Sequence, residues 1–267
     1  MDDRPIGVFD SGLGGLTTVR ELCRLLPEED IVYFGDTGRV PYGSRSRETI
    51  VKYARQDVAF LRTFDLKTIV IACGTVSTTA LDVLAAENPI PVLGVVAPAA
   101  RAAARATRSG SIGLIGTQAS IRSGAYERLI RAENPAARVL AQPCPLFVPL
   151  VENGRFRPGD VVIETVAAEY LAPLKEAGVD TLVLGCTHYP LLEKVIGAYM
   201  GPEVRLINSG AEGARAAADC LRERDALAGP GRGSCRCFVS DRQEDFSRLA
   251  STFLGWDVAQ AVEQVDI

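Results

Sequence analysis

The chain has 267 residues, 47% of them apolar and 23% charged, with a net charge of −4. That length holds one large domain or two α/β lobes, and that charge excludes nucleic acid or an anionic membrane as the main partner. No run approaches the roughly 18 consecutive apolar residues of a membrane span, and Met1-Asp2-Asp3-Arg4-Pro5 lacks the basic start and apolar core of a signal peptide. Seven scattered cysteines without a C-x-x-C pair point away from a disulfide framework and towards a reducing, cytoplasmic setting. Cys235-Arg236-Cys237 is the only close pair and, with no second pair nearby, makes a weak zinc half-site, so no metal is expected.

In chain order, short apolar runs alternate with stretches of helical period. A strand near Ile6–Phe9 enters the loop Asp10-Ser11-Gly12-Leu13-Gly14-Gly15 and then a helix near Leu16–Leu26. Gly12-x-Gly14 opens like a dinucleotide fingerprint, and Asp36 stands about where a ribose-binding acid belongs. Thr17 takes the place of the third glycine, however, and Asp10 would repel a pyrophosphate, so an acid-bearing catalytic loop is the better reading. A strand near Ile31–Phe34 precedes Pro41-Tyr42-Gly43-Ser44, whose tyrosine and backbone amides suit a small anionic group; a plain surface turn is an equal reading. A helix near Arg47–Phe64 follows, then a strand near Thr68–Ala72 ending at Cys73, a helix near Ser77–Glu87, a strand near Val92–Val96 and a helix near Pro98–Thr107.

The second half repeats this alternation. Ile112-Gly113-Leu114-Ile115-Gly116-Thr117 echoes Ile6-Gly7-Val8-Phe9-Asp10-Ser11, each a strand ending in a small hydroxyl residue. The strand near Ser111–Ile115 is followed by a helix near Ser120–Glu133, a strand near Val139–Gln142 and a loop carrying Glu152, which taken alone reads as a solvated carboxylate. A helix near Pro158–Ala177 leads to a strand near Thr181–Gly185 ending at Cys186, then a helix near Leu191–Tyr199 and a strand near Val204–Ile207. A helix near Ala211–Arg224, a turn-rich connector over 226–233, a strand near Cys237–Val239 and a helix near Asp241–Leu254 complete the chain.

Strands alternating with helices imply mostly parallel sheets flanked by helices, with ligands outside the carboxyl ends of the strands. Cys73 and Cys186 both fall there, each expected just before a helix N-terminus, where a thiolate is favoured. Two such thiols in matching contexts suggest a pair of proton-transfer groups facing each other across a substrate. His188, the only histidine, stands two residues after Cys186, where it can stabilise a thiolate or exchange a proton with it. Cys23 and Cys220 fall within helical patterns and Cys144 between two prolines, and all three read as structural.

Taken together, Phe9-Asp10-Ser11-Gly12-Leu13-Gly14-Gly15-Leu16, Phe34-Gly35-Asp36-Thr37, Pro41-Tyr42-Gly43, Ala72-Cys73-Gly74-Thr75, Pro149-Leu150-Val151-Glu152 and Leu184-Gly185-Cys186-Thr187-His188-Tyr189-Pro190-Leu191 resemble the glutamate racemase family of cofactor-independent amino-acid racemases. The resemblance implies two pseudo-symmetric α/β lobes, residues 1–96 plus 208–267 and residues 97–207, with the active site in the cleft between them. It assigns Cys73 to the D-enantiomer and Cys186 to the L-enantiomer, with Asp10 as helper of the first and His188 and Glu152 as helpers of the second. Asp10, Ser11, Tyr42, Gly43, Gly74, Thr75, Thr117, Thr187 and His188 are then the substrate-binding residues. The family usually has Asn where this chain has Gly74, and often Thr where it has Ser120.

A cysteine thiol, with an ordinary pKa of about 8.5, suits inversion because either protonation state is accessible near neutrality. Inversion needs a proton removed from one face of the α-carbon and another delivered to the opposite face, hence two groups. Without a cofactor, the carbanion-like transition state is left to oriented amides and hydroxyls and to water exclusion. The resemblance further implies a homodimer and D-glutamate for bacterial peptidoglycan. With few residues ahead of Ile6, the chain is expected to lack the N-terminal extension linked to regulation by a cell-wall precursor. The competing readings are an isomerase of the same superfamily acting on aspartate or another acidic substrate, a nucleotide-binding oxidoreductase, and a non-catalytic protein that binds acidic amino acids.

Overall fold

The computed structural model describes residues 1–241, 243–256 and 262–267. Two units divide the chain: Met1–Val95 with Gly210–Ile267, and Val96–Ser209. In the first, strands β1 (Ile6–Asp10), β2 (Ile31–Gly35), β3 (Thr68–Ile71), β4 (Val92–Gly94), β9 (Cys235–Val239) and β10 (Val262–Gln264) form one sheet in the order β10-β9-β2-β1-β3-β4. In the second, β5 (Ser111–Gly116), β6 (Arg138–Pro143), β7 (Thr181–Leu184) and β8 (Arg205–Asn208) lie in the order β6-β5-β7-β8. Every pairing is parallel. The order 2-1-3-4 in one unit and 6-5-7-8 in the other is the same connectivity used twice, which gives the short echo between Ile6 and Ile112 a structural basis.

In the first unit the helices are α1 (Leu16–Leu25), α2 (Arg47–Leu61), α3 (Gly74–Thr79), α4 (Leu81–Glu87), α11 (Ser209–Glu223) and α12 (Gln243–Leu254). Ser209, at the start of α11, belongs to the second unit. That unit carries α5 (Val96–Ala106), α6 (Gln118–Ser123), α7 (Ala125–Glu133), α8 (Phe147–Glu152), α9 (Val161–Glu176) and α10 (Glu193–Met200). Position 242 of the expected helix Asp241–Leu254 lies outside the described residues.

Two helices read as continuous are broken. Gly124, at φ 62, separates α6 from α7 in a left-handed conformation that glycine adopts without steric cost. Ala80, at φ −125, separates α3 from α4. Glu152 stands at the end of α8 rather than in a loop. That helix is six residues long and contains Pro149, too short for a period to register. The edge strand β10 has three residues and left no alternation to read.

Parallel strands covered on both faces are apolar throughout, and β1 and β2 are buried at all five positions. Alternation along β2 sends neighbouring rings to opposite faces. Tyr33 stacks at 6.2 Å on Phe246 of α12, whereas Phe34 meets Phe60 of α2 at 4.9 Å. Phe60, Phe64 and Phe238 continue that second cluster at 5.2–5.8 Å. Phe34→Ala is therefore expected to cost about 3–5 kcal/mol, seen in urea melts as a lower midpoint at unchanged slope; a loss under about 1 kcal/mol would show that this cluster does not hold the sheet.

Candidate active site

In an open parallel sheet, a crevice forms where successive connections leave in opposite directions. In the first unit that point lies between β1 and β3, because β2 pairs with the other edge of β1. The residues at the carboxyl ends of these strands are Asp10-Ser11 and Ala72-Cys73. In the second unit it lies between β5 and β7, and the corresponding residues are Gly116-Thr117 and Gly185-Cys186. Each cysteine follows its strand by two residues. Ala72 N–H donates to Phe9 O at 2.9 Å, and Gly185 N–H donates to Ile115 O at 2.8 Å. A side chain on Gly185 would place its Cβ 2.7 Å from the Ile115 carbonyl oxygen, so only glycine lets the chain turn towards Cys186 at that spacing.

Around Cys73 the thiol is buried and lies 3.5 Å from the Ser11 hydroxyl. Asp10, also buried, accepts from the Gly12 amide at 3.1 Å. The loop can wrap this carboxylate because Gly15 offers no Cβ, which would stand 2.5 Å from that of Asp10. Cys73 is the residue that opens α3, with Gly74 and Thr75 as the first helical residues. Burial and then the Asp10 charge push the thiol pKa up to about 12, against the Ser11 hydroxyl and nearby amides, which lower it. This sulfur is therefore held as a thiol.

Around Cys186 the setting differs. The expected helix does not begin beside it; a 3₁₀ turn, Tyr189–Leu192, intervenes before α10 starts at Glu193. A histidine takes over the role foreseen for the helix end. His188 Nδ1 lies 4.0 Å from Cys186 Sγ, and its Nε2 lies 2.9 Å from Glu152 Oε1. Burial lowers the imidazole pKa, but the hydrogen bonds to Cys186 and Glu152 outweigh it and push the value up to about 10. The ring is thus an imidazolium at neutrality. Glu152 reaches the ring because α8 is pinned by Phe147, which packs edge-on at 5.3 Å against Tyr170 and Tyr189. The Tyr189 hydroxyl donates to Cys144 O at 3.0 Å. Thr187 is buried, and Thr117 caps α6 through the Ser120 amide at 3.2 Å.

Tyr42 departs from expectation. Its side chain is 1% exposed and its hydroxyl is turned inward onto Asp36 and Asp57, both fully buried. That hydroxyl is engaged within the protein, while Gly43 beside it is half-buried. Asp36, once considered for a ribose, is taken by the same cluster. Asp57 was missed from sequence, although a signal existed. It falls on the buried stripe of α2 with Ile50, Val51, Ala54, Val58 and Leu61, where a carboxylate has no place unless it is paired. Among the described residues, no three His, Cys, Asp or Glu side chains gather to hold a metal ion.

Fold and site define an open parallel α/β protein, used twice over, with a strand-end thiol and its own titratable neighbours in each unit. The Asp/Glu/Hydantoin racemase family model matches residues 9–217. A glutamate racemase of Geobacter metallireducens is 49% identical over 96% of this chain and 94% of its own length. By structure, a glutamate racemase isoform from Bacillus anthracis superposes with a TM-score of 0.95 at 38% identity, covering 100% of this chain and 99% of the other. The glutamate racemase of Francisella tularensis, solved with D-glutamate, gives 0.92 at 37% identity over 100% and 98%. The chain belongs to the Asp/Glu/Hydantoin racemase family.

A pKa raised from about 6.5 to about 10 adds stability that is full below pH 6.5 and is lost as pH rises through 10. The melting temperature of the wild-type chain, minus that of His188→Asn, is expected to shrink steadily across that window. A difference that is flat or grows with pH would mean that the imidazolium is not the folded form.

Proposed function

We propose that this chain interconverts L- and D-glutamate without a cofactor, Cys73 and Cys186 acting as the two acid/base groups. The carrying observation is the pair of strand-end thiols, one at the switch point of each unit, in unlike electrostatic settings. The glutamate racemases among its relatives support the substrate. For L-glutamate, Cys186 as thiolate, beside the His188 imidazolium, takes the α-proton. Cys73 as thiol returns a proton to the opposite face. The reverse direction starts from the Cys73 thiolate, which Asp10 makes a strong base by disfavouring its negative charge. Hydroxyls of Ser11, Thr75, Thr117 and Thr187 with the backbone at Gly43 and Gly74 hold the substrate. Supply of D-glutamate for peptidoglycan, a cytoplasmic location and a homodimer complete the reading.

Solvent deuterium wash-in tests the two-thiol scheme. Cys73→Ala and Cys186→Ala are each expected to lose about 10²–10⁴-fold in racemisation, and either one retaining full turnover in both directions would refute it. Dialysis against EDTA and a carbonyl trap should leave wild-type activity intact; loss of activity there would end the cofactor-independent reading. Gly74, where relatives of this kind usually carry Asn, favours one second reading, a substrate of different side-chain length. Parallel chiral assays on glutamate and aspartate decide it by which amino acid has the higher kcat/KM.

A further inference from the structure

Beneath the 36–46 segment lies a polar cluster that the scheme above does not use. The Tyr42 oxygen has two carboxylate oxygens in hydrogen-bond range, Asp36 Oδ2 and, at 3.0 Å, Asp57 Oδ2. A phenol carries one hydrogen, so it can donate to only one of them. The other contact is attractive only if a carboxyl proton lies in it, since two bare oxygens would repel.

The surrounding donors decide which carboxyl is protonated. Asp36 accepts from Arg39 Nε at 2.6 Å and from the Ser240 hydroxyl at 2.7 Å, besides Tyr42. Three donors converging on one carboxylate suit the ionised form. Asp57 accepts from Arg39 Nη2 at 2.8 Å through Oδ1, and among the described residues its Oδ2 faces the phenol oxygen alone. Charge gives the same result. Among the described residues, Arg39 is the one cation in contact with the two carboxylates, and two buried anions against one cation leave an unbalanced charge. Arg39 is itself fixed by Gln56 Oε1 at 2.6 Å and by stacking at 4.5 Å over Tyr53. Burial, then the charge on Asp36, raises the Asp57 carboxyl well above its ordinary range, and the Asp10 charge adds to this.

We propose that Asp57 keeps its proton and donates it to the Tyr42 oxygen, so that Asp57, Tyr42, Asp36 and Arg39 form a neutral latch that positions the Gly43 backbone for substrate. Asp57 is on this reading a positioning residue. The positioning role rests on the racemase reading above; the location of the proton does not.

Infrared difference spectra between the wild-type chain and Asp57→Asn test the proton directly. The wild type is expected to show the carbonyl stretch of a protonated carboxylic acid that Asp57→Asn lacks. Asparagine has the shape of the neutral acid, its amide able to donate to Tyr42 while its oxygen accepts from Arg39. Asp57→Asn should therefore keep its melting temperature and hold KM within about twofold, the range of a neutral substitution. Asp36→Asn leaves Arg39 without its carboxylate and should raise KM by about tenfold, the size of one lost hydrogen bond to a charged group, with a smaller change in kcat. A cluster that is merely structural predicts no such asymmetry between two Asp→Asn changes. Absence of the band, a band that persists in Asp57→Asn, an Asp57→Asn chain that fails to fold, or equal effects of the two changes would each overturn the proposal. Should the wild type not turn over glutamate, the functional reading falls, and the infrared and melting results still decide the proton.

Discussion

The two switch points, between β1 and β3 and between β5 and β7, constrain everything chemical in this chain. A parallel strand needs a crossover to return, and right-handed crossovers that leave in opposite directions cannot cover the strand ends between them. The gap that results is bounded by backbone groups already spent on the sheet, so whatever sits there must come from the last strand residue or the next one or two. Those residues are Asp10-Ser11 with Cys73 in one unit and Thr117 with Cys186 in the other. The glycines beside them, Gly15 and Gly185, follow from the same crowding.

From this shared frame the two units diverge in charge. Cys73 has a carboxylate for a neighbour and opens a short helix; Cys186 has an imidazolium backed by a carboxylate and precedes a 3₁₀ turn. The first setting holds the sulfur as a thiol; the second puts an imidazole nitrogen 4.0 Å from the sulfur. A two-base racemase needs that inequality at rest, because two thiols have no base and two thiolates have no acid. Repetition of the fold supplies the two positions, and the proposed mechanism draws on the unlike neighbours for the two protonation states.

Much of this was legible in the residues. Apolar runs such as Thr68–Ile71 and Thr181–Leu184 marked the buried parallel strands, and their ends marked both cysteines. What was illegible had physical causes. Helix α8 is too short and proline-bearing to show a period, so Glu152 looked solvated although Phe147 pins it beneath His188. Tyr42 looked available because a Pro-Tyr-Gly-Ser run is turn-like, and nothing local reveals that its hydroxyl bonds to a carboxylate on α2 fifteen residues on. Interactions of that kind depend on which faces of distant elements meet, and that is settled by packing.

Two buried polar clusters of the first unit show how charge balance separates structural from positional use. At the amino edge of the sheet, Lys67, just before β3, pairs with Glu29, just before β2, and both side chains are almost wholly buried. Lys67 also donates to Asp2 O at 2.7 Å, and Glu29 accepts from the Ala228 amide at 2.9 Å. One cation meets one anion, each finds backbone partners, and the pair ties the chain start and the 226–233 connector to the sheet. At the carboxyl edge, among the described residues, Arg39 meets two carboxylates, and the proposed Asp57 proton balances the cluster. Hydrophobic residues of similar volume are often at least as stable as a buried ionic group, so stability alone does not account for the more expensive cluster. Its location offers a reason: it lies against the segment that follows β2, and directional bonds to a phenol fix a loop more tightly than apolar contact would.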